Sequence, residues 1–417
     1  MRYLPRSRRA LHVLLLLVLV GAALLLLPLR AQLPGLPVMQ AADVSVSGLS
    51  SGGYMAVQYG VAYSASVRGA GVVAGGPYSC SRGSVDTATT VCSCTGFGAC
   101  RVRAGGTNVA ALAALTEQYA AARSIDPVAN MASQRIWMFS GTADTVVPQA
   151  VMNDLHSYHQ RYMDSGNINY RKDVAAQHAM PTDSAGNACS SLGSPYINNC
   201  GVDAAGQLLQ WIYPGLAPRS AGAPAGRLLE FDQGQYLADP TTHGMAASGF
   251  LYIPAACDAS SGQGCKLHVA FHGCKQNARS IGDRFIRDTG YLRWADSNRL
   301  LVLFPQAAPV FPLANPNACW DWFNYDDANF ARQTGRQMAA VKAMADRLTG
   351  GGATPPPGGA ACFTASNPDH VLAGRAYERF FFAYAQGSGQ SMGLNSLFIR
   401  TTLRRTAPSH FVVGSCP

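Results

Sequence analysis

The sharpest chemical signature in this chain is Gly48-Leu49-Ser50-Ser51-Gly52. A serine hydroxyl is a weak nucleophile until a base takes its proton. Small neighbours let it sit on a tight turn where base and substrate both reach it. Alone, such a Gly/Ser run is often only a turn. Here a strand-like stretch, Val44 to Ser47, precedes it, and a small-residue helix start, Gly52 to Gly60, follows. That strand–turn–helix context is what a nucleophile elbow requires, so Ser50 is the expected nucleophile of an acyl transfer. The helix N-terminus behind it favours developing negative charge.

The serine needs a base, and the base needs an orienting acid. The strand-like Ile136 to Gly141 runs into Thr142-Ala143-Asp144-Thr145, an acid just past a strand end. Asp144 is the expected acid, with Asp126 the weaker alternative. Nine histidines compete for the base. His12 lies in the leader, His370 and His410 near the C-terminus, His156 and His159 on a helical stretch, and His268 inside a strand-like run. His178 opens a loop 34 residues beyond Asp144, room for one helix and one strand. It is the expected base, with His243 and His272 as remaining options. Serine, acid, histidine is the chain order of α/β hydrolases.

The elements that must hold these residues are legible as alternating patterns. Apolar runs rich in β-branched and aromatic residues (136–141, 248–254, 266–273, 299–306) alternate with helix-like stretches such as 108–122 and 332–348. Alternation of this kind implies a mostly parallel sheet with helices on both faces. In an ordinary α/β hydrolase several strands precede the nucleophile, whereas here a mature chain would begin only about ten to twenty residues before Ser50. A lone elbow strand would leave sheet edges unpaired. The runs at 228–231, 249–254, 266–273 and 300–305 must therefore supply the missing strands, which makes the order a circularly permuted one. One of them ends in His272-Gly273-Cys274, similar to the loop that normally donates to the oxyanion. The backbone N–H groups of Ser51 and Cys274 are the expected donors, each worth about 3–4 kcal/mol of barrier. The His272 side chain is expected to brace that loop.

Taken together, GLSSGGYMA, GTADTVVP, QHAMPTD, VAFHGCKQ and Ala318-Cys319-Trp320-Asp321-Trp322 give a pattern that resembles the extracellular poly(3-hydroxybutyrate) depolymerases with a circularly permuted catalytic domain. The resemblance spans about residues 41–349. It implies an α/β-hydrolase fold, a Ser50–His178–Asp144 triad acting through an acyl-enzyme, and an oxyanion amide from Cys274. It further implies that Trp320 lines the polymer crevice, and that Cys274 bonds Cys319, which would place Trp320 beside the oxyanion hole. Trp322 is a further substrate-binding candidate. A polyester or its oligomers would be the substrate, with no metal or organic cofactor and no stable protein partner. A feruloyl or acetyl esterase of the same fold is the nearest rival, and a noncatalytic polymer-binding protein a more distant one.

Composition bounds the rest. The 417 residues are 48% apolar and 13% charged, with a formal charge of +9. Five arginines in the first thirty residues, with no acid among them, account for much of that, leaving +4 beyond them. No other Lys/Arg run suggests nucleic acid. Residues 1–31 read as a signal peptide, with basic residues before an apolar stretch from Val13 to Leu29. Secretion to the extracellular space follows, and membrane contact only if the leader is retained. Twelve cysteines fit disulfides in an oxidising compartment better than a metal cluster around Cys92-Ser93-Cys94. The chain divides into a catalytic domain (32–349), a Gly/Pro linker (350–361) and a small module (362–417) bounded by Cys362 and Cys416, an expected staple. The module's eight aromatics (Phe363, Tyr377, Phe380, Phe381, Phe382, Tyr384, Phe398, Phe411) are either its core or a surface for an apolar polymer.

Overall fold

The computed structural model describes residues 33–96, 98–310, 314–350, 362–407 and 410–414. The expected signal peptide, nearly all of the linker and Cys416 lie outside them. Among the described residues no helix is long and apolar enough to cross a membrane.

Eight strands form the central sheet: β1 (Ala42–Leu49), β2 (Val67–Val73), β3 (Arg135–Phe139), β4 (Ile168–Arg171), β8 (Arg227–Asp232), β9 (Ser248–Ile253), β10 (Lys266–Phe271) and β11 (Leu300–Phe304). Three short strands between them, β5 (Met180–Thr182), β6 (Asn187–Ala188) and β7 (Ile197–Asn199), make a separate small sheet. The order across the large sheet is β4-β3-β2-β1-β10-β11-β9-β8. Strands from β4 to β11 pair in parallel, and β9 and β8 add antiparallel at one edge. The first strand of the chain thus lies at the centre, and everything on one side of it comes from beyond residue 226.

Parallel strands covered on both faces read as near-continuous apolar runs, and alternate residues go to opposite faces. Val72, Ile136, Met138, Leu301 and Leu303 enter one core with Met55 of α1 (Ser51–Ala62), Leu112 of α2 (Val109–Ala121), Leu155 of α3 (Gln149–His159) and Val341 of α6 (Arg336–Leu348). Their neighbours Val73, Trp137, Phe139, Val302 and Phe304 enter a second core with Leu208 and Leu209 of α4 (Ala204–Ile212) and with Tyr291 and Trp294 of α5 (Tyr291–Asn298). The result is a three-layer α/β sandwich.

Five disulfides join Cys80–Cys92, Cys94–Cys100, Cys189–Cys200, Cys257–Cys265 and Cys274–Cys319. Cys92 and Cys94 belong to separate bridges, which removes the metal-cluster alternative. Cys362 is also disulfide-bonded.

The C-terminal module holds two three-stranded sheets, β12-β16-β17 and β13-β14-β15, and a short helix, α7 (Asn367–Leu372). Its strands are β12 (Cys362–Ser366), β13 (Ala376–Arg379), β14 (Phe382–Ala385), β15 (Ser391–Leu394), β16 (Arg400–Ala407) and β17 (His410–Val413). Its aromatics divide. Phe363 and Phe411 join Met392, Leu403 and three alanines in a small core, whereas Phe380, Phe381 and Phe398 are 79%, 78% and 97% exposed. The module is packed within the same compact unit as the hydrolase domain. Arg375 forms a buried ion pair with Asp239, and its Nε donates to His370 Nδ1 at 2.9 Å.

Candidate active site

Ser50 stands between β1 and α1 with φ 57° and ψ −124°, a region that costs a non-glycine residue energy and persists only where its surroundings enforce it. The enforcement comes from crowding. A Cβ on Gly48 would lie 2.2 Å from Gly52 O, and one on Gly52 2.3 Å from Phe271 O. Only glycine fits at either place, so the two glycines allow the elbow to press against the end of β10. The Ser50 N–H donates to Val73 O at 3.0 Å, and the helix opens with Tyr54 N–H donating to Ser50 O at 2.9 Å.

Asp144 follows β3, as its position past a strand end implied. Its Oδ1 accepts from the N–H groups of Val146 and Val147, both at 2.8 Å, and its Oδ2 lies 2.8 Å from His178 Nδ1. Both side chains are buried. With Nδ1 donating to the carboxylate, Nε2 is left free to act as a base. The two loops are knitted by backbone and by one side chain. Thr142 N–H donates to Val174 O, and Gln177 Oε1 accepts from both Thr145 N–H and His178 N–H at 2.9 Å.

The loop after β10 is held from several sides. His272 is fully buried, and its Nε2 accepts from Ala307 N–H at 3.0 Å. Its proton therefore sits on Nδ1, which donates to Gly273 O at 2.7 Å. Burial pushes the His272 pKa down to about 4. A neutral ring with both nitrogens occupied braces the loop and is unsuited to be the base. Among the described residues, the N–H groups of Ser51 and Cys274 have no acceptor, the condition an oxyanion would need.

Ser50, Ser51, His178 and Cys274 all line one cleft of about 460 Å³. Of the tryptophans, Trp322 lines it and Trp320 does not. Trp320 was expected to line the crevice, but it is completely buried. Its Nε1–H donates to His272 O at 2.9 Å, and its ring packs edge-on against Phe271. The Cys274–Cys319 bond does bring Trp320 close to the oxyanion loop, but on the core side of it, where an apolar ring gains more by burial. Trp322 instead stacks on Tyr54, with centroids 3.9 Å apart and planes 10° from parallel. The turn carrying both tryptophans is pinned by Asp321, which accepts from the N–H groups of Tyr325 and Asp327. Burial raises the Asp321 pKa to about 6.

The alternatives lie elsewhere. Asp126 accepts from Ala65 N–H and Gln333 Nε2, and His243 pairs with Asp326 at 2.8 Å beside a different cavity. Sequence reasoning passed over Tyr54, Gln177 and Gln276. Tyr54 had a usable signal, since it is four residues beyond Ser50 on α1 and so on the same helix face. The glutamines had none, because their partners are set by tertiary contacts.

No family model matches this chain. A poly(3-hydroxybutyrate) depolymerase of Delftia acidovorans is 38% identical over 472 aligned positions, covering 90% of this chain and 92% of that one. A polyhydroxybutyrate depolymerase of Talaromyces funiculosus is 42% identical over 323 positions, covering 74% of this chain and 90% of its own. Among solved structures, a serine-to-alanine PHB depolymerase complexed with an R3HB trimer superposes with TM-score 0.68 at 40% identity, and the Penicillium funiculosum enzyme with 0.68 at 39%. Each covers 78% of this chain and the whole of the solved one. With similarity of this extent along nearly the full length, the chain belongs to the poly(3-hydroxybutyrate) depolymerase family.

Proposed function

We propose that this chain hydrolyses the ester bonds of poly(3-hydroxybutyrate), and of its oligomers, by serine-based acyl transfer. The observation that carries the reading is the Asp144–His178 pair opening on the cleft that also holds the strained Ser50 and the two residues with acceptor-free amides. Ser50 Oγ attacks the ester carbonyl while His178 Nε2 takes its proton, and Asp144 holds the imidazole and stabilises its charged form. The oxyanion is received by the N–H groups of Ser51 and Cys274. His178 then returns the proton to the departing alkoxide, and a water repeats the sequence on the acyl-enzyme. The trimer bound by the solved relative supports a 3-hydroxybutyrate ester as substrate. Stacked Tyr54 and Trp322 offer an apolar wall for it, and Trp322 is the tryptophan assigned to substrate binding.

The leader, the disulfides and the kinship support secretion to the extracellular space. The domain division at 349 and 362 assigns the catalytic residues to 32–349. The bare phenylalanines of the module, Phe380, Phe381 and Phe398, suit adsorption to an apolar solid. The test is clearing of a polyester suspension, run beside a feruloyl ester. Ser50→Ala should abolish clearing with circular dichroism unchanged. A folded Ser50→Ala protein that still clears the suspension would refute the assignment, and preference for the feruloyl ester would move it to the rival class.

A further inference from the structure

The Gln276 side chain bonds both the oxyanion loop and the segment that follows the histidine. It is buried, and its carboxamide has three partners. Oε1 accepts from Gly273 N–H at 2.7 Å. Nε2 donates to Pro195 O and to Tyr196 O, both at 2.9 Å. The chemistry allows one orientation only: a donor faces the oxygen and two carbonyls face the nitrogen, so a flipped amide would oppose like groups at all three contacts. Tyr196 O also accepts from Met180 N–H at 2.9 Å, and Met180 opens β5 two residues after His178.

The same residue fixes the peptide that matters for catalysis. Gly273 O accepts from His272 Nδ1 and, at 3.2 Å, from the backbone N–H of Gln276. In a trans peptide the C=O and the following N–H point in opposite directions. Anchoring Gly273 O on one side therefore aims the Cys274 N–H to the other. The Gln276 carboxamide sets the preceding peptide plane as well, through Gly273 N–H.

We propose that Gln276 is a positioning residue that sets the Cys274 amide for the oxyanion and keys it to the loop carrying His178. The inference rests on the esterase reading above. Gln276 acts through its hydrogen bonds, tying the oxyanion loop to Pro195 and Tyr196, which lie 81 and 80 residues from it in sequence.

The experiment compares Gln276→Met and Gln276→Glu with the parent on a soluble 3-hydroxybutyrate oligomer. Methionine fills a similar volume without hydrogen bonds. Glutamate keeps an acceptor for Gly273 N–H but loses both donations. In each, kcat should fall roughly 10- to 100-fold, short of the full loss of an oxyanion donor, with KM within about threefold. Affinity for a boronic acid, which forms a tetrahedral anion on Ser50, should fall by the same factor as kcat. Parent-like kcat in either folded variant would overturn the proposal. So would a loss that appears in KM while boronate affinity is kept. Should the methionine variant fail to fold, the glutamate variant decides alone. Ser50→Ala is assayed in parallel: if it remains active, the esterase reading has failed, whereas a dead Ser50→Ala with an active Gln276→Met rejects only the positioning role.

Discussion

Both carboxylate oxygens of Asp144 are engaged, one by two backbone amides and the other by His178. The acid is therefore held before substrate arrives. Asp144→Asn would put an amide where the imidazole needs an acceptor, and kcat should fall by roughly 10³–10⁴ with KM little changed, measured on a soluble ester. Other buried side chains set the response to pH. His268 lies between the hydroxyls of Ser45 and Ser47, and burial lowers its pKa to about 3; His272 is lowered to about 4. A depressed histidine contributes stability that is complete above its unfolded pKa near 6.5 and is lost as pH falls through the folded value. For His272 that amounts to about 3 kcal/mol. Asp321, raised to about 6, acts in the opposite sense, contributing most below its unfolded pKa and losing that contribution as pH rises to 6. His159, also buried and lowered to about 3, acts with them, and three histidines outweigh one aspartate, so the urea midpoint should drop between pH 7 and pH 4.5. A flat or rising midpoint would contradict this balance. That Asp144 and His178 pair, and that His178 shares a cleft with Ser50, was legible from sequence because the chemistry demands those types in a known order. Trp320 was misplaced because a motif gives proximity to the oxyanion loop without saying on which side a ring lies.

At the level of elements, the elbow and the oxyanion loop are built by mutual exclusion of side chains: Gly52 lets α1 abut the end of β10, and Trp320 fills the space behind. This makes Trp320 a brace. Trp320→Phe keeps a smaller aromatic ring but leaves His272 O without its donor and a gap in the core, and should cost about 2–3 kcal/mol of stability while leaving adsorption to polymer unchanged. Weaker adsorption with normal stability would restore the crevice role. Trp322→Ala, by contrast, removes half of the stacked wall. It should raise KM for oligomers several-fold, with kcat for a short ester within about twofold, since the wall binds ground and transition states alike. The strands were legible because runs buried on both faces are long and apolar. The small sheet of β5, β6 and β7 was not, since strands of two or three residues carry no periodicity; register and the Cys189–Cys200 bridge hold it.

Across the whole molecule, a Gly/Pro linker separates the module in sequence, yet a buried ion pair joins it to the hydrolase domain. Asp239 and Arg375 are 136 residues apart, so no local pattern announces them. Asp239→Asn would leave a buried guanidinium without its counter-ion, at about 3–5 kcal/mol, enough to loosen the module. Differential scanning calorimetry should then show a separate, earlier transition, and a single unshifted transition would mean that the pair is not what fastens the module. Replacing Phe380, Phe381 and Phe398 together with serine should weaken binding to polyester granules and spare soluble-ester turnover; loss of both activities would make those rings structural. The position of β1 has a consequence for biosynthesis. Ser50 directly follows β1, the first of the described strands, but the strand beside it, β10, pairs Ser47 with Ala270, and the proposed oxyanion amide belongs to Cys274. A nascent chain thus displays Ser50, the proposed nucleophile, early and completes the pocket around it only when most of the polypeptide has emerged. Such sequence-distant pairing slows assembly, and it also keeps an ester-cleaving protein inert for as long as it is still being synthesised.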